Sequence, residues 1–498
     1  MTRSRKSLQY IASISASLTF FMAGSFTCWT SPAIPKLMAE NPDFTPDKIS
    51  WIVACLSVGS ILAPLPVGHL MNKLGRKPLL IFTAIPFLVG WGLIFTGSLI
   101  GLCFSRAIGG LGIGIAITVC PVYIVEISED DIRGILGTMM QLLQNLGTLF
   151  AFCLGPYVSY QYLALSSSVV PVVFIVVMLW VPETPYFLMM KDRKAKAEKS
   201  LMRLRGGNEI RAVQSELDKI ERYVHIAVTY KTSIIDLFFT RGNKKAMFII
   251  AFLVILQQFS GVMAILSYAE EIFAKTGSSL DPSVQAMVLG GVQLLASVFS
   301  SMLVDRLGRK PLLLMSTAGV AASLSIEGLY FYIIINNMAK KSSTEWIPLS
   351  ALIVFFIMYC IGLGSLPITM TGELFSTKVK GMASSIASMF TAVGFFIVTK
   401  LYQVMTSSWG IYFSFWVFSL CCVFGTVFIF FMVPETKGKS LPQIHKELIG
   451  GGSLDLNNFR RDFLPREATE DVEEGGSIEM SLNSSLSSWE QFESSRRE

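Results

Sequence analysis

Uncharged amides and hydroxyls, set at helical spacing inside apolar runs, are the residues of this chain best suited to chemistry. Thr138, Gln141, Asn145 and Thr148 follow one another at steps of three, four and three, which puts all four on one helix face. Gln257 and Gln258 stand side by side in another run, with Tyr268 further along it, and Gln293 lies in the next. Such groups donate and accept without charge, which suits a solute covered in hydroxyls. An amide turned toward lipid is costly, so these should face the inside of a bundle. Hydrogen bonding between helices, worth roughly 1 kcal/mol per contact, is the competing use. Nothing favours an enzyme: there is no nucleophile–base pair, Walker loop or carboxylate pair in a cleft. His69, His225 and His445 are scattered, and none of the eight cysteines forms a CxxC pair, so neither metal nor cofactor is expected.

The elements that must position these groups follow from composition. Hydrophobic residues make up 52% of the 498 and charged residues 15%, with mean hydropathy +0.56, which argues against a soluble chain. Apolar runs of about 20 residues recur, long enough to cross a bilayer, and in lipid they must be helices. Twelve are expected, near 10–30, 50–71, 78–98, 101–125, 136–156, 162–181, 246–273, 284–304, 311–335, 347–371, 382–402 and 409–433. An even number puts both ends of the chain on one side. Short loops assigned to the cytoplasm hold 12 Lys and Arg against 5 in those assigned outside, so that side is expected to be the cytoplasm. Arg3, Arg5 and Lys6 before the first run would also suit a cleaved leader, but losing that span would break the parity. The positive net charge is read as this orientation signal and not as a nucleic-acid surface.

An internal duplication organises the spans. Asn72-Lys-Leu-Gly-Arg76-Lys-Pro-Leu-Leu recurs as Asp305-Arg-Leu-Gly-Arg309-Lys-Pro-Leu-Leu. Glu126 with Arg133-Gly134 recurs as Glu373 with Lys380-Gly381, and Pro182-Glu183-Thr184 as Pro434-Glu435-Thr436. The expected division is a short N-terminus (1–9), a six-helix bundle (10–181), a cytoplasmic segment with two short amphipathic helices (182–245), a second bundle (246–433) and a cytoplasmic tail (434–498). Parallel halves of this kind place a substrate path at their interface. The tail, rich in Ser and Glu after residue 450, is expected to be disordered, and the acceptor pattern at Asn483 within it unused.

Residues 8–449 resemble the sugar porter family of the major facilitator superfamily. The motifs are Leu-Gly-Arg-Lys after spans 2 and 8, Arg106-x-x-x-Gly110-x-Gly112-x-Gly114, Pro182-Glu-Thr-Pro185, Gln257-Gln258-Phe-Ser-Gly261 and Pro434-Glu-Thr-Lys-Gly-Lys-Ser-Leu441. Trp29-Thr-Ser-Pro32 with Ile34-Pro-Lys-Leu37 is further similar to the insect facilitated trehalose transporter branch. The resemblance implies an all-α membrane protein of twelve helices in two six-helix halves. It also implies a monomer in the cell membrane whose substrate is a small sugar, trehalose or a hexose. A charge cluster would break as the inner side opens, with Arg76, Glu126, Arg133 and Glu183 in the first half and Arg309, Glu373, Lys380 and Glu435 in the second. Asn72 stands where the family usually has Asp and Ser301 where it has Gly, so the first cluster should hold the outward-facing state less firmly.

Gln141 matches a family sugar-binding glutamine and Gln293 takes the place of a family amide, so with Asn145, Gln257, Gln258 and Tyr268 they form the expected substrate site. Several family groups are missing. Met263 replaces an Asn, Gly364-Ser-Leu-Pro367-Ile lacks a proline and a tryptophan, and Thr391-Ala392 replaces Asn-Trp. Each lost contact costs about 1–3 kcal/mol, so ordinary glucose affinity is not expected. Gly364 and Pro367 still interrupt span 10 as a gate. Arg106, Glu327 and Lys400, charges within spans, are expected to serve structure. Proton-driven relatives carry an acid in the first span, whereas residues 10–30 hold no Asp, Glu or His, which favours uniport. A sugar sensor that binds without turnover, and a carrier of a non-sugar solute, remain the alternatives.

Overall fold

Apolar runs in lipid must satisfy their own backbone, and these do so as α-helices. The computed structural model describes residues 6–129, 131–206, 210–229, 241–336, 345–375 and 379–437, with 439, 443, 444, 447 and 448. Among the described residues, 11 helical segments are long and apolar enough to cross a membrane, and one bent pair completes the expected 12. In chain order, span 1 is Ser7–Glu40, span 2 the bent pair Pro46–Leu62 with Pro66–Leu74, span 3 Arg76–Ile94 and span 4 Leu99–Ile127. Spans 5 to 8 are Arg133–Tyr157, Tyr160–Trp180, Gly242–Ser267 and Pro282–Ser300. Spans 9 to 12 are Arg309–Ile335, Ile347–Leu374, Gly381–Trp409 and Ile411–Met432.

Two spans differ from their expected form for local reasons. Span 1 does not stop near residue 30, because Trp29 keeps helical angles (φ −51°, ψ −33°) and the helix runs on to Glu40. Its extension is pinned from the side. Trp29 Nε1 donates to the Tyr160 carbonyl at 3.2 Å, and Lys36 Nζ donates to the carbonyls of Gly155, Pro156 and Val158. Span 7, expected as one helix to 273, breaks at Gly261, whose φ of +79° is left-handed, and the chain turns again at Tyr268. An added Cβ at Gly261 would strike the Phe418 ring, so both backbone and packing call for glycine.

Within the first half, span 1 packs on span 5, span 2 on span 4, and span 3 on spans 4 and 6. Gly24 and Gly147 sit against the Gln144 and Phe21 carbonyls of the opposing helix, with no room for a Cβ between spans 1 and 5. The second half repeats the plan, with span 7 on 11, span 8 on 10, and span 9 on 10 and 12. The halves meet where span 2 touches 11 and span 5 touches 8.

Among the described residues, the central segment holds three helices, Pro185–Met190, Lys194–Leu204 and Ile210–Thr229, around a small core that includes Leu188, Leu201, Val213, Leu217 and Ile220. Two were expected, and the extra one follows the Pro-Glu-Thr-Pro motif directly. This platform is tied to the first half: Gln9 Nε2 donates to the Leu204 carbonyl at 3.1 Å, and Arg205 Nη1 to the Ile127 carbonyl at 3.0 Å. The face carrying it is the loop face below, and the opposite one the far face. Residues 230–240 and 449–498, with the expected tail disorder and Asn483, lie outside the described residues.

Candidate functional site

Span 5 turns its polar face toward span 8. Along that face Thr138 and Gln141 are half-buried, whereas Asn145 is 1% exposed and Thr148 3%. Gln141 Nε2 donates to Asn145 Oδ1 at 3.0 Å, and Asn145 Nδ2 reaches the Gln293 carbonyl at 3.5 Å, across the interface between halves. The Gln293 side chain is buried with its Oε1 unpartnered, and so is that of Gln258. Buried acceptors without a donor are costly, and a bound hydroxyl would relieve them. The graded burial also shows a direction. A Cβ added at Gly134, Gly137 or Gly381 would meet nothing within 4 Å, so the loop-face ends of spans 5 and 11 have open space beside these glycines.

The neighbouring glutamines of span 7 divide their tasks. Gln257 Nε2 donates to the carbonyls of Leu363 at 2.6 Å and Gly364 at 3.1 Å, in the turn that separates Ile347–Ile361 from Leu366–Leu374. That turn is the break expected at Gly364 and Pro367, and Leu363 N donates to Ser316 Oγ at 3.0 Å. Ser316 was not legible as a partner of this turn, because a serine in an apolar run has no spacing signature. Gln258 packs against span 11, where a Cβ at Gly394 would touch its side chain. Tyr268 is fully buried with its hydroxyl unpartnered, its ring 5.1 Å from that of Tyr402.

Arg106 serves structure, as expected. It donates to the carbonyls of Phe26 and Thr27, and its guanidinium lies 5.1 Å from the Phe26 ring centroid. Glu327 is fully buried with both carboxyl oxygens unpartnered.

The loop-face charges form two copies of one arrangement. Arg76 grips Glu126 (Nη2–Oε1 2.7 Å), and the other oxygen of Glu126 accepts from Thr184 Oγ1 at 2.6 Å. Arg309 grips Glu373 at 2.8 Å, and Thr436 Oγ1 donates to Glu373 at 2.5 Å. Glu183 and Glu435 stand at a different place in each set. They accept backbone N–H bonds where spans 3 and 9 begin: Glu183 from Lys77 at 3.2 Å, Glu435 from Arg309 and Lys310 at 3.0 Å. The turns leading in need positive φ, at Gly75 (+103°) and Gly308 (+91°). Burial dominates at Glu183 and raises its carboxyl above the usual range. At Glu435 burial is the largest single influence, but four backbone donors together outweigh it and hold the carboxyl low. Arg133 is half-buried at the start of span 5, Asn72 is exposed, and the side chains of Lys380 and Ser301 lie outside the described residues. Thr184 and Thr436 are the partners of these carboxylates that sequence reasoning passed over, although the repeated Pro-Glu-Thr displayed them.

The profile of the "sugar (and other) transporter" family matches residues 10–448. This chain belongs to the sugar (and other) transporter family. Among relatives of this sugar transporter-family chain, the facilitated trehalose transporter Tret1 of Bombyx mori is 33% identical over 448 residues, covering 89% of this chain and 87% of that protein. Tret1 of Polypedilum vanderplanki is likewise 33% identical, with 89% and 88% covered. The longer Tret1 of Anopheles gambiae is 33% identical and 56% covered. In fold it is similar to the xylose transporter XylE of E. coli in a partially occluded inward-open conformation (TM-score 0.73, 23% identity, 87% of this chain and 100% of that one). It is also similar to the proton:xylose symporter XylE bound to 6-bromo-6-deoxy-D-glucose (TM-score 0.72, 22% identity, 89% and 99%).

Proposed function

We propose that this protein is a facilitative carrier of a small sugar, trehalose or a hexose, working by alternating access as a monomer in the cell membrane with both termini cytoplasmic. The observation carrying the reading is a set of buried, uncharged polar groups: Gln141 and Asn145 of span 5 meet Gln293 of span 8 where the halves join, and the amide oxygens of Gln293 and of Gln258 in span 7 are unpartnered. A hydroxylated, neutral solute satisfies such groups without bringing charge into the bundle. The printed activity of the 33%-identical relatives, facilitated trehalose transport, supports the same choice. Uniport is favoured because residues 10–30 hold no Asp, Glu or His whose proton could be exchanged as the halves rock.

Uptake of labelled trehalose, glucose and fructose into proteoliposomes tests this. The expected result is saturable uptake of at least one sugar, accelerated by unlabelled sugar on the opposite side and insensitive to a protonophore. Collapse of uptake with the protonophore would overturn uniport. Binding without flux would make the protein a sensor, and neither binding nor flux would mean a different solute.

A further inference from the structure

On the far face the halves are joined by a contact that the amide wall and the loop-face charges do not involve. Trp51, near the start of span 2, carries an indole that two residues of span 11 flank, one turn apart. Lys400 places its ammonium 4.0 Å from the ring centroid, and the Phe396 ring meets it edge-on at 6.4 Å and 60°. Lys400 Nζ also donates to Ser50 Oγ at 2.8 Å and reaches Asp47 Oδ1 at 3.3 Å. All three donor and ring contacts of Lys400 thus cross from the second half to the first. The Asp47 carboxylate is 75% exposed, so its ion pair is weak in water. The Lys400 side chain is only 19% exposed although Trp51 itself is 46% exposed, and a largely covered cation over a tryptophan ring is the stronger of the two contacts.

We propose that Lys400 and Phe396 clasp Trp51 as a far-face latch, so that this contact sets how readily the carrier opens toward that side. Separating the far-face ends of spans 2 and 11 must lift the indole off the ammonium and leave both to water. The latch is closed here while the loop-face ends of spans 5 and 11 have open space beside Gly134, Gly137 and Gly381, which fits a rocking pair of halves. Lys400, an apparent misfit in an apolar helix, is then a gate-positioning residue. This rests on the alternating-access reading above but not on the identity of the solute.

Hydrogen–deuterium exchange of the purified full-length protein, measured without sugar, tests it. Lys400→Met is expected to speed exchange about tenfold at residues 46–56 and 393–405 and to slow it at 133–141 and 381–389, because opening one face closes the other. Lys400→Arg, which keeps a cation over the ring, should restore the original pattern. Trp51→Leu should reproduce the Lys400→Met pattern, with no further change when the two are combined. Unaltered far-face exchange would overturn the latch. So would faster far-face exchange with no slowing at the loop face, the signature of local loosening. Sugar flux does not enter the readout, so a failed latch and a failed substrate assignment are told apart.

Discussion

At the scale of single residues, two adjacent glutamines carry the sharpest distinction. Gln257 and Gln258 are chemically identical and read alike in the sequence, yet neighbours on a helix point about 100° apart. One amide braces the span 10 turn and the other keeps a free acceptor. Gln258→Ala is therefore expected to raise KM about tenfold with kcat nearly unchanged, the loss of one hydrogen bond to substrate. Gln257→Ala leaves two carbonyls without their donor and should depress kcat more than it raises KM. Initial-rate uptake in proteoliposomes separates the two, and identical effects would refute the division. Which amide faces a solute was beyond the sequence, because that depends on where a broken backbone on another helix leaves its carbonyls.

At the scale of elements, Glu183 and Glu435 hold equivalent helix starts in unlike surroundings. The native Glu183 binds its proton more readily than the unfolded chain does, so its site gains stability as pH falls through its raised pKa. Glu435 has the opposite sign: its contribution is complete above the unfolded carboxyl range and is lost as pH falls through its depressed native value. Glu183→Gln should leave the thermal midpoint at neutral pH unchanged or slightly higher. Glu435→Gln should lower it by a few degrees and flatten its acid dependence, as read by thermal unfolding in detergent across pH. Gly261→Ala, which forces a Cβ into left-handed backbone against Phe418, should lower the midpoint further than either. Repetition made the paired motifs legible, down to the threonines that bond Glu126 and Glu373. It did not show that the second glutamate of each set caps a helix, because charge alone suggests a guanidinium partner.

At the scale of the molecule, hydropathy and duplication were enough to give twelve spans in two halves. The state of the halves was not legible: two arrangements of one sequence differ by a few kcal/mol, and no motif encodes the balance. Parity and loop charge carry the proposal that both ends lie in the cytoplasm. Epitope tags at residues 1 and 498 should both be shielded from antibody in intact cells and reached after permeabilisation, and one exposed tag would break the topology. The small platform beneath span 4 has its own apolar core and grips the first half through Gln9 and Arg205. Any antibody fragment seated on those helices would ride with one side of the carrier, so its tilt against a marker on the other would report each turnover from outside the membrane.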